Sequence, residues 1–411
     1  MRIAMITADS PLASTGCHGQ LPQPIMLARA LASHGHRVTL YTRAQDQGSP
    51  RTAIMGAGVS VEHIEAGPVR PLRPEAAARY MPAVAAGLAD RWRAKAPDVV
   101  HAFTWTAGLA AIGAVRGTGI PVVQSFGSLA SIEQRQAGVD VSGARVRLEA
   151  SIGRTVAAVL ASSAEEGAEL ARLAVPRTAV RVLPPGTDTA HFSPADVRAK
   201  TNDRPTLIAV ADDQARGLAT AIRAVSQLPG VRLVIVGGPA ARRLPRSGPF
   251  RELAQLATEL RVRSRVTFAG QVAEADLPGL LCSADVMVSA TSYDPTGLSV
   301  IQGMACGLPV VASAVGGQQD AVIDGITGLL VSPDHPAMLA QRLRALLARP
   351  ALLQAYGIAA ADRARSRYCI DRIGQEAATA YQGCVRQPAR PSGETAVAPE
   401  TADLRGVAAL A

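Results

Sequence analysis

Residues 289–313 read SATSYDPTGLSVIQGMACGLPVVAS, a segment with an unusually clear local pattern. It begins at the end of Val286–Ser289, a short apolar run of the kind that forms a buried strand. A turn rich in Asp, Pro and Gly comes next, and Leu298–Cys306 then has the apolar spacing of a helix. A second β-branched run, Val310–Ala312, closes the segment. The order strand, loop, helix, strand predicts a βαβ unit in a parallel sheet.

The same alternation extends in both directions along the chain. The predicted strands of the first half are Ile3–Thr7, Arg37–Thr42, Val59–His63, Val99–Ala102, Val122–Ser125 and Ala158–Ala161, with helices at Ile25–His34, Pro82–Ala94 and Gly143–Arg154. Those of the second half are Leu207–Ala211, Leu233–Val236, Val266–Phe268, Val286–Ser289, Val310–Ala312 and Leu329–Val331, with helices at Gly217–Leu228, Pro249–Leu260, Leu298–Cys306 and Pro336–Leu347. Two such series predict two doubly wound α/β domains with a cleft between them.

Domain boundaries follow from where the pattern stops. The segment Val180–Gly186 ends the first series with two adjacent prolines and a glycine. We therefore predict an N-terminal domain at 1–184 and a C-terminal domain at 185–365. A C-terminal helix is predicted at 366–386, and a disordered tail at 387–411, where few large apolar residues occur.

Composition narrows the class of protein. The 411 residues are 48% hydrophobic and 18% charged, which is typical of a folded globular chain. The net charge of +9 comes almost entirely from Arg, as Lys occurs only at 95 and 200, so we attribute it to genome composition. No signal peptide or transmembrane run is evident, and the five cysteines form no CxxC pair. These features predict a cytoplasmic protein without a metal site.

The loop after Ser289 has the chemistry of a phosphate site. Thr296 and Gly297 open a helix directly after a strand, so its first N–H groups and its positive dipole end are available to an anion. Asp294 and Gln302 lie close enough in sequence to address one ligand. Farther on, the glycines Gly316 and Gly317 form a second turn after a strand.

The segment from Pro295 to Val331 resembles the retaining glycosyltransferases of family 4. The family pattern runs roughly E-P-F-G-L-x-x-L-E-A-M-A-C-G-x-P-V-V-A-S-x-V-G-G, followed by D-G-x-T-G-L-L-V. Segments that begin at His18-Gly19-Gln20, Pro97, Gly119 and Pro184 are similar to other parts of the family. The resemblance covers most of residues 1–384.

The resemblance implies the GT-B fold of two Rossmann-like domains. It implies a C-terminal domain that binds a nucleotide diphosphate sugar. It also implies an N-terminal domain that presents the hydroxyl of an acceptor, which is a lipid or a small molecule. Sugar transfer would retain the anomeric configuration and require neither a metal nor another cofactor. The implied donor contacts are Asp294, Thr296, Gly297, Leu298, Gln302, Gly316 and Gly317, with Arg216 at the phosphates and Gly19 in the N-domain loop.

Five positions depart from the family pattern. Asp294 and Gln302 occupy the two positions of the E-x7-E pair, and Gln302 loses the charge of the second carboxylate. Asp212 stands where a diphosphate-binding Arg is usual, Gly127 stands in the slot of a His near the reacting centre, and His18 replaces a loop glycine. His101, at the end of a strand, is the candidate to replace that His in catalysis. The alternative is a catalytically impaired homologue that acts as a partner or regulator of an active enzyme.

Ordinary structural roles remain open for the same residues. Asp294 and Thr296 are favoured helix caps, Gln302 suits a solvated helix position, and Gly316 with Gly317 suits a simple turn. Arg216 also fits a solvated loop, and His101 fits a satisfied, half-buried histidine.

A basic cluster bears on the remaining partners. Arg70, Arg73, Arg79, Arg91, Arg93 and Lys95 flank the apolar segment from Tyr80 to Leu88. This combination leaves open a peripheral membrane contact, with an ordinary solvated helix face as the alternative. No nucleic-acid-binding motif accompanies the charge, so we expect no nucleic-acid partner.

Overall fold

The computed structural model describes residues 1–7, 22–46, 51–194, 204–211, 215–239 and 248–386. Of these residues, those up to Pro184 and those from Asp371 onward form one unit, and Pro185–Ile370 form the other. The first division falls at the predicted position. The second falls five residues after the predicted end of the C-terminal domain, and the predicted tail at 387–411 lies outside the described residues.

The first unit has one sheet covered by helices. Its strands are β1 (Arg2–Thr7), β2 (Arg37–Arg43), β3 (Thr52–Gly56), β4 (Val59–Ile64), β5 (Val99–Phe103), β6 (Val122–Ser125), β7 (Ala158–Ala161) and β8 (Val180–Val182). Its helices are α1 (Gln23–Ser33), α2 (Pro74–Ala78), α3 (Met81–Ala94), α4 (Trp105–Ala114), α5 (Ala130–Ile132), α6 (Gly143–Thr155) and α7 (Ala164–Arg172).

The strand order in this sheet is β3-β4-β2-β1-β5-β6-β7-β8. All described pairings are parallel except that of β3 with β4. The central strand β1 reads RIAMIT, and every residue after Arg2 is buried. A strand that is covered on both faces needs a nearly continuous apolar run, and this explains why the strand could be predicted from its sequence.

The second unit also has one sheet. Its strands are β9 (Thr206–Ala211), β10 (Arg232–Gly237), β11 (Val266–Gly270), β12 (Val286–Ser289), β13 (Val310–Ser313) and β14 (Gly328–Val331), in the order β11-β10-β9-β12-β13-β14. Its helices are α8 (Leu218–Ser226), α9 (Gly248–Glu259), α10 (Leu277–Cys282), α11 (Leu298–Ala305), α12 (Gly316–Ala321), α13 (Pro336–Leu347) and α14 (Pro350–Tyr368). The described pairings in this sheet are parallel.

The last helix, α15 (Ile370–Arg386), belongs to the first unit except for its first residue. Its apolar residues Ile373, Ala377 and Tyr381 are buried in one cluster with residues of β1, β2 and α1. The predicted helix at 366–386 was therefore wrong at its start. Cys369 is extended and lies opposite Thr187, whose carbonyl accepts from the N–H of Ile370 at 2.9 Å, so α14 ends before α15 begins.

Only part of the apolar segment near the basic cluster faces solvent. Met81, Val84, Ala85 and Leu88 on α3 are buried, and Arg91 pairs with Glu62 at 3.1 Å. Pro82, Ala83 and Ala86 of the same segment are exposed, and the membrane contact left open by the sequence stays an expectation. The other basic residues of the cluster are exposed, as on an ordinary solvated face.

Candidate functional site

The carboxyl end of the second sheet contains a topological switch point. β9 lies between β10 and β12, so the chain leaves β9 toward one edge of the sheet and later continues from β12 toward the other. The loops after such neighbouring strands diverge and leave a crevice, which is the usual ligand position in open α/β sheets. Here those loops contain Arg216, after β9, and Tyr293–Gly297, after β12.

Asp294 organises the loop after β12. Its Oδ1 accepts from the N–H of Thr296 at 3.1 Å and from the N–H of Gly297 at 2.8 Å. The Asp294 carbonyl accepts from the N–H of Gly317 at 3.0 Å, which ties this loop to the turn after β13. The side chain therefore stabilises the turn that leads into α11 and does not cap the helix, whose N-cap is Gly297 and has no side-chain cap hydrogen bond.

Three glycines let the two loops meet backbone to backbone. A Cβ on Gly316 would lie 2.1 Å from the Asp294 carbonyl oxygen, and one on Gly317 would lie 2.2 Å from the Thr296 carbonyl oxygen. A Cβ on Gly297 would lie 2.6 Å from the Gly317 carbonyl carbon, and Gly297 also has φ +69°. The predicted glycines thus do more than form separate turns, because they bring the loops after β12 and β13 into contact.

Arg216 lies against the same loop. Its guanidinium carbon is 5.2 Å from the centre of the Tyr293 ring, a geometry in which the cation is attracted to the aromatic face. Gly217 follows with φ +73°, and a Cβ there would lie 2.4 Å from the Thr291 backbone nitrogen. This close approach holds the half-buried Arg216 next to Tyr293, the residue before Asp294.

Gln302 and Gln318 are both buried near this loop. Gln302, on α11, is only 2% exposed, so the solvated helix position considered for it is wrong. Gln318, on α12, is fully buried and donates from Nε2 to Asp294 Oδ2 at 2.9 Å and to Ser289 Oγ at 2.6 Å. Sequence reasoning did not select Gln318, since nothing in its neighbours shows that it reaches residues 24 and 29 positions earlier.

His101 is buried in β5 of the first unit and 1% exposed. Its Nδ1 lies 2.7 Å from the Tyr381 hydroxyl and its Nε2 lies 3.0 Å from Ser125 Oγ. Ser125 donates to the Leu160 carbonyl, so Nε2 must donate to Ser125, and Nδ1 must accept from Tyr381. Burial lowers the pKa of His101 to about 3. With no free ring nitrogen and no access to solvent, His101 lacks the geometry of the catalytic group expected from the sequence and has the structural role that was its alternative.

Gly127, which the resemblance places in the slot of a His, is exposed and has φ +72°. The residues that follow it are held by an ionic cluster in which Arg145 contacts both oxygens of Glu133, at 2.9 and 3.0 Å, and Glu149 at 2.8 Å. Glu149 in turn accepts from the N–H of Ala130 at 2.8 Å. Burial raises the pKa of Glu149 to about 7, although Arg145 opposes the shift.

Thr104 is a further residue that sequence reasoning missed. It follows β5 at the switch point of the first sheet, where β5 lies beside β1, and it is exposed. Its φ of +82° is rare for a β-branched residue, and such strain concentrates at functional positions. The sequence around Thr104 contains no pattern that predicts a strained backbone.

The remaining predicted positions His18, Gly19 and Asp212 lie outside the described residues. Within the described ranges, no group of three or more His, Cys, Asp or Glu side chains is arranged to hold a metal ion. In the same ranges, no helix combines the length and apolarity needed to cross a membrane.

Known proteins similar to this chain identify its family. Residues 204–349 match the family model described as glycosyl transferases group 1, and residues 24–186 match the glycosyl transferase 4-like domain. D-inositol 3-phosphate glycosyltransferase of Xylanimonas cellulosilytica is 32% identical over 95% of this chain and 98% of its own. The protein of that name from Acidothermus cellulolyticus is 32% identical over 84% of this chain and 82% of its own.

Two solved structures show the same architecture. Sucrose-phosphate synthase from Thermosynechococcus elongatus has a TM-score of 0.83 and 29% identity, covering 93% of this chain and 98% of its own. Anabaena HepE in complex with UDP-glucose has a TM-score of 0.73 and 19% identity, covering 93% and 100% of the two chains, and this likeness concerns the fold alone. The resemblance and the fold class inferred from the sequence are therefore confirmed, and the chain belongs to the group 1 glycosyltransferases of the GT-B fold.

Proposed function

We propose that this protein transfers a sugar from a nucleoside diphosphate sugar to a hydroxyl of a polar acceptor, with retention of the anomeric configuration. The observation that carries the proposal is the meeting of three loops at the switch point of the second sheet. These loops hold Arg216, the Asp294 turn at the start of α11, and the glycine pair Gly316 and Gly317. A group 1 glycosyltransferase needs an anion site at such a position.

The diphosphate would bind at the first turn of α11. The N–H groups of the first turn of a helix lack carbonyl partners within the helix, and the helix dipole adds positive potential there. Leu298 opens this turn, whereas the N–H groups of Thr296 and Gly297 in its approach donate to Asp294, and Arg216 supplies a full positive charge beside it. Together they would stabilise the negative charge that develops on the leaving diphosphate.

Bond changes in the proposed reaction balance without a further reactant. The bond between the anomeric carbon and the diphosphate oxygen breaks, and the acceptor oxygen forms a new bond to that carbon on the same face. The acceptor proton passes to the leaving diphosphate. Asp294 would accept a hydrogen bond from a hydroxyl of the transferred sugar, and Gln302 would contribute to the nucleotide side of the pocket. We expect no cofactor, because Arg216 and the helix end supply the positive charge, so turnover should persist after chelation of metal ions.

The acceptor class is proposed from the relatives. Two of them are named for D-inositol 3-phosphate, so this cyclic polyol phosphate is the first acceptor to test. Simple sugars and a lipid-linked hydroxyl are the alternatives that the assay should include.

The test is a transfer assay with UDP-glucose, GDP-mannose and ADP-glucose as donors. We expect one donor to release its nucleoside diphosphate in the presence of D-inositol 3-phosphate and to yield a product whose anomeric coupling constant matches the donor. Asp294→Ala should reduce turnover by at least about a hundredfold, as expected for loss of an interaction made in the transition state. Asp362→Ala, at an exposed position of α14 in the same unit, is the matched control.

The contrary outcome is also specific. If the wild-type protein binds none of the three donors or their nucleoside diphosphates at millimolar concentration, the enzyme proposal is wrong. The chain would then fit the impaired homologue that regulates an active partner.

A further inference from the structure

We propose that Gln318 is a positioning residue that orients Asp294 toward the transferred sugar, an inference that rests on the proposed function. Gln318 is fully buried, and its Nε2 lies 2.9 Å from Asp294 Oδ2. The same nitrogen lies 2.6 Å from Ser289 Oγ, at the end of β12. Gln318 thereby joins α12, β12 and the Asp294 loop through one amide group.

The direction of this amide follows from chemistry. An ionised carboxylate only accepts hydrogen bonds, so the NH₂ end of Gln318 must face Asp294. The carbonyl end, Oε1, is then buried, and it has no hydrogen-bond partner in the part of the chain that the structure describes. A buried acceptor without a partner is unfavourable. The contact with Asp294 is therefore kept although it leaves the other end of the amide unsatisfied.

The two carboxylate oxygens of Asp294 are used differently. Oδ1 accepts from the N–H groups of Thr296 and Gly297, and at 3.4 Å from the Thr296 hydroxyl. Oδ2 accepts only from Gln318 among the described residues, and a carboxylate oxygen can accept two hydrogen bonds. One acceptor direction on Oδ2 therefore remains for a ligand hydroxyl, and Gln318 fixes that direction.

The hydrogen bond from Gln318 suits an Asp at position 294, where the family pattern has the longer Glu. The side chain of Asp has little reach, so its useful direction depends on how tightly the carboxylate is held. Gln318 holds the oxygen that the local turn does not use, whereas the turn itself holds the other. We therefore assign recognition of the sugar hydroxyl to the pair Asp294 and Gln318.

The experiment compares binding of UDP-glucose with binding of UDP, and the GDP-mannose and ADP-glucose pairs if another base is preferred. In Gln318→Leu the affinity for the nucleotide sugar should fall about tenfold, the value of one hydrogen bond of ordinary strength. Affinity for the nucleoside diphosphate should be unchanged, since Asp294 faces the sugar. A merely structural role would lower both affinities equally, and that result would overturn the proposal.

Gln318→Glu provides a second readout that does not depend on the tolerance of Leu. Ionised Glu would repel Asp294, whereas protonated Glu can donate to Oδ2 as the amide does. We expect kcat/KM of this variant to recover as the pH falls from 8 to 5, relative to wild type. A flat ratio across this range would contradict the proposal.

Controls separate the failure of this inference from failure of the proposed function. Gln319→Leu and Gln319→Glu change the exposed neighbour on the same helix and should behave as wild type at each pH. If wild-type protein binds no nucleotide sugar, the proposed function and this inference both fall. If wild type is active and Gln318→Leu matches it, only the positioning role of Gln318 is wrong.

Discussion

Gly317 has no room for a side chain, although its backbone φ lies outside the left-handed region. The added methyl of Gly317→Ala would lie 2.2 Å from the Thr296 carbonyl, so one of the two loops would have to shift. We expect the free energy of unfolding to fall by about 1–3 kcal/mol, as for other overpacked positions. Urea denaturation followed by circular dichroism would measure this loss.

Gly279→Ala is the matched control. Gly279 lies on α10 of the same unit, is exposed, and an added Cβ would meet nothing within 4 Å. Because Ala favours helix over Gly, this variant should be more stable by up to about 1 kcal/mol. Equal stability of Gly317→Ala and wild type would show that the loops after β12 and β13 are not in contact.

The site could be predicted from sequence only as far as local spacing determines geometry. Asp294, Thr296 and Gly297 are adjacent, so their turn and its hydrogen bonds follow from residue type and order. Gln318 reaches Asp294 only because β12 and β13 are neighbours in the sheet, which is a property of the fold. The position of His101 at the end of a strand was misleading for the same reason. The sequence of the strand does not indicate which helix packs over it.

At the scale of the element, β5 and α15 are joined by the pair His101 and Tyr381. The buried histidine has a pKa near 3, whereas in the unfolded chain it would have its ordinary value of about 6.5. Between these values only the unfolded chain binds the proton, so stability is fully present above pH 6.5 and is lost as pH falls toward 3. We expect a slope of up to about 1.4 kcal/mol per pH unit from this group.

Comparison with His101→Gln isolates this contribution. An amide can donate and accept but does not titrate, so the pH dependence of the unfolding free energy should be smaller by close to one proton. Denaturant titrations at intervals from pH 4 to 7 would measure the difference. Identical slopes would show that His101 is not held neutral in the folded protein.

Tyr381→Phe tests the other end of the same contact. Loss of the hydroxyl leaves His101 Nδ1 without its donor inside the core, which should cost about 1–3 kcal/mol of unfolding free energy. Tyr356→Phe is the control, since Tyr356 is also buried on a helix but donates no described hydrogen bond. Thermal unfolding of the two variants should differ, and equal midpoints would contradict the anchoring role.

Strands inside the two sheets were predictable from sequence, as were the edge strands β11 and β14, whereas the edge strands β3 and β8 were not. All the predicted strand segments coincide with observed strands, namely β1, β2, β4 to β7 and β9 to β14. The observed strand is usually one residue longer than the predicted segment. β3 was missed because its exposed, alternating edge position requires no continuous apolar run. β8 was interpreted as the end of the pattern, since it has three residues and two are exposed.

At the scale of the molecule, the first unit is made from two separate parts of the chain. A fragment 1–184 would lack α15 and leave part of the apolar core around β1 and β2 uncovered. We expect this fragment to bind the dye ANS and to unfold without a cooperative transition. A fragment of 185–370 should fold by itself, because its described core clusters lie within those residues.

Joining residues 371–386 to the fragment 1–184 through a flexible linker is the control. The joined fragment should regain a cooperative transition and lose most of its dye binding. If 1–184 alone unfolds cooperatively, α15 is not an integral part of this core.

The division of the chain at Pro184 could be predicted, because two prolines and a glycine interrupt the βα pattern there. The return of α15 to the first unit could not. Its apolar residues recur at helical spacing, which predicts a buried face but not the surface that buries it. That choice depends on the apolar surface that α1, β1 and β2 present to α15.

The position of α15 in the sequence has a consequence for synthesis on the ribosome. A chain is made from its N-terminus, and domains generally fold as they emerge. The first unit to emerge is the one that lacks a helix until the entire second unit has been translated. Its nascent form would expose the apolar surface that α15 later covers, so we expect it to depend on holdase chaperones, while the later unit completes its folding first.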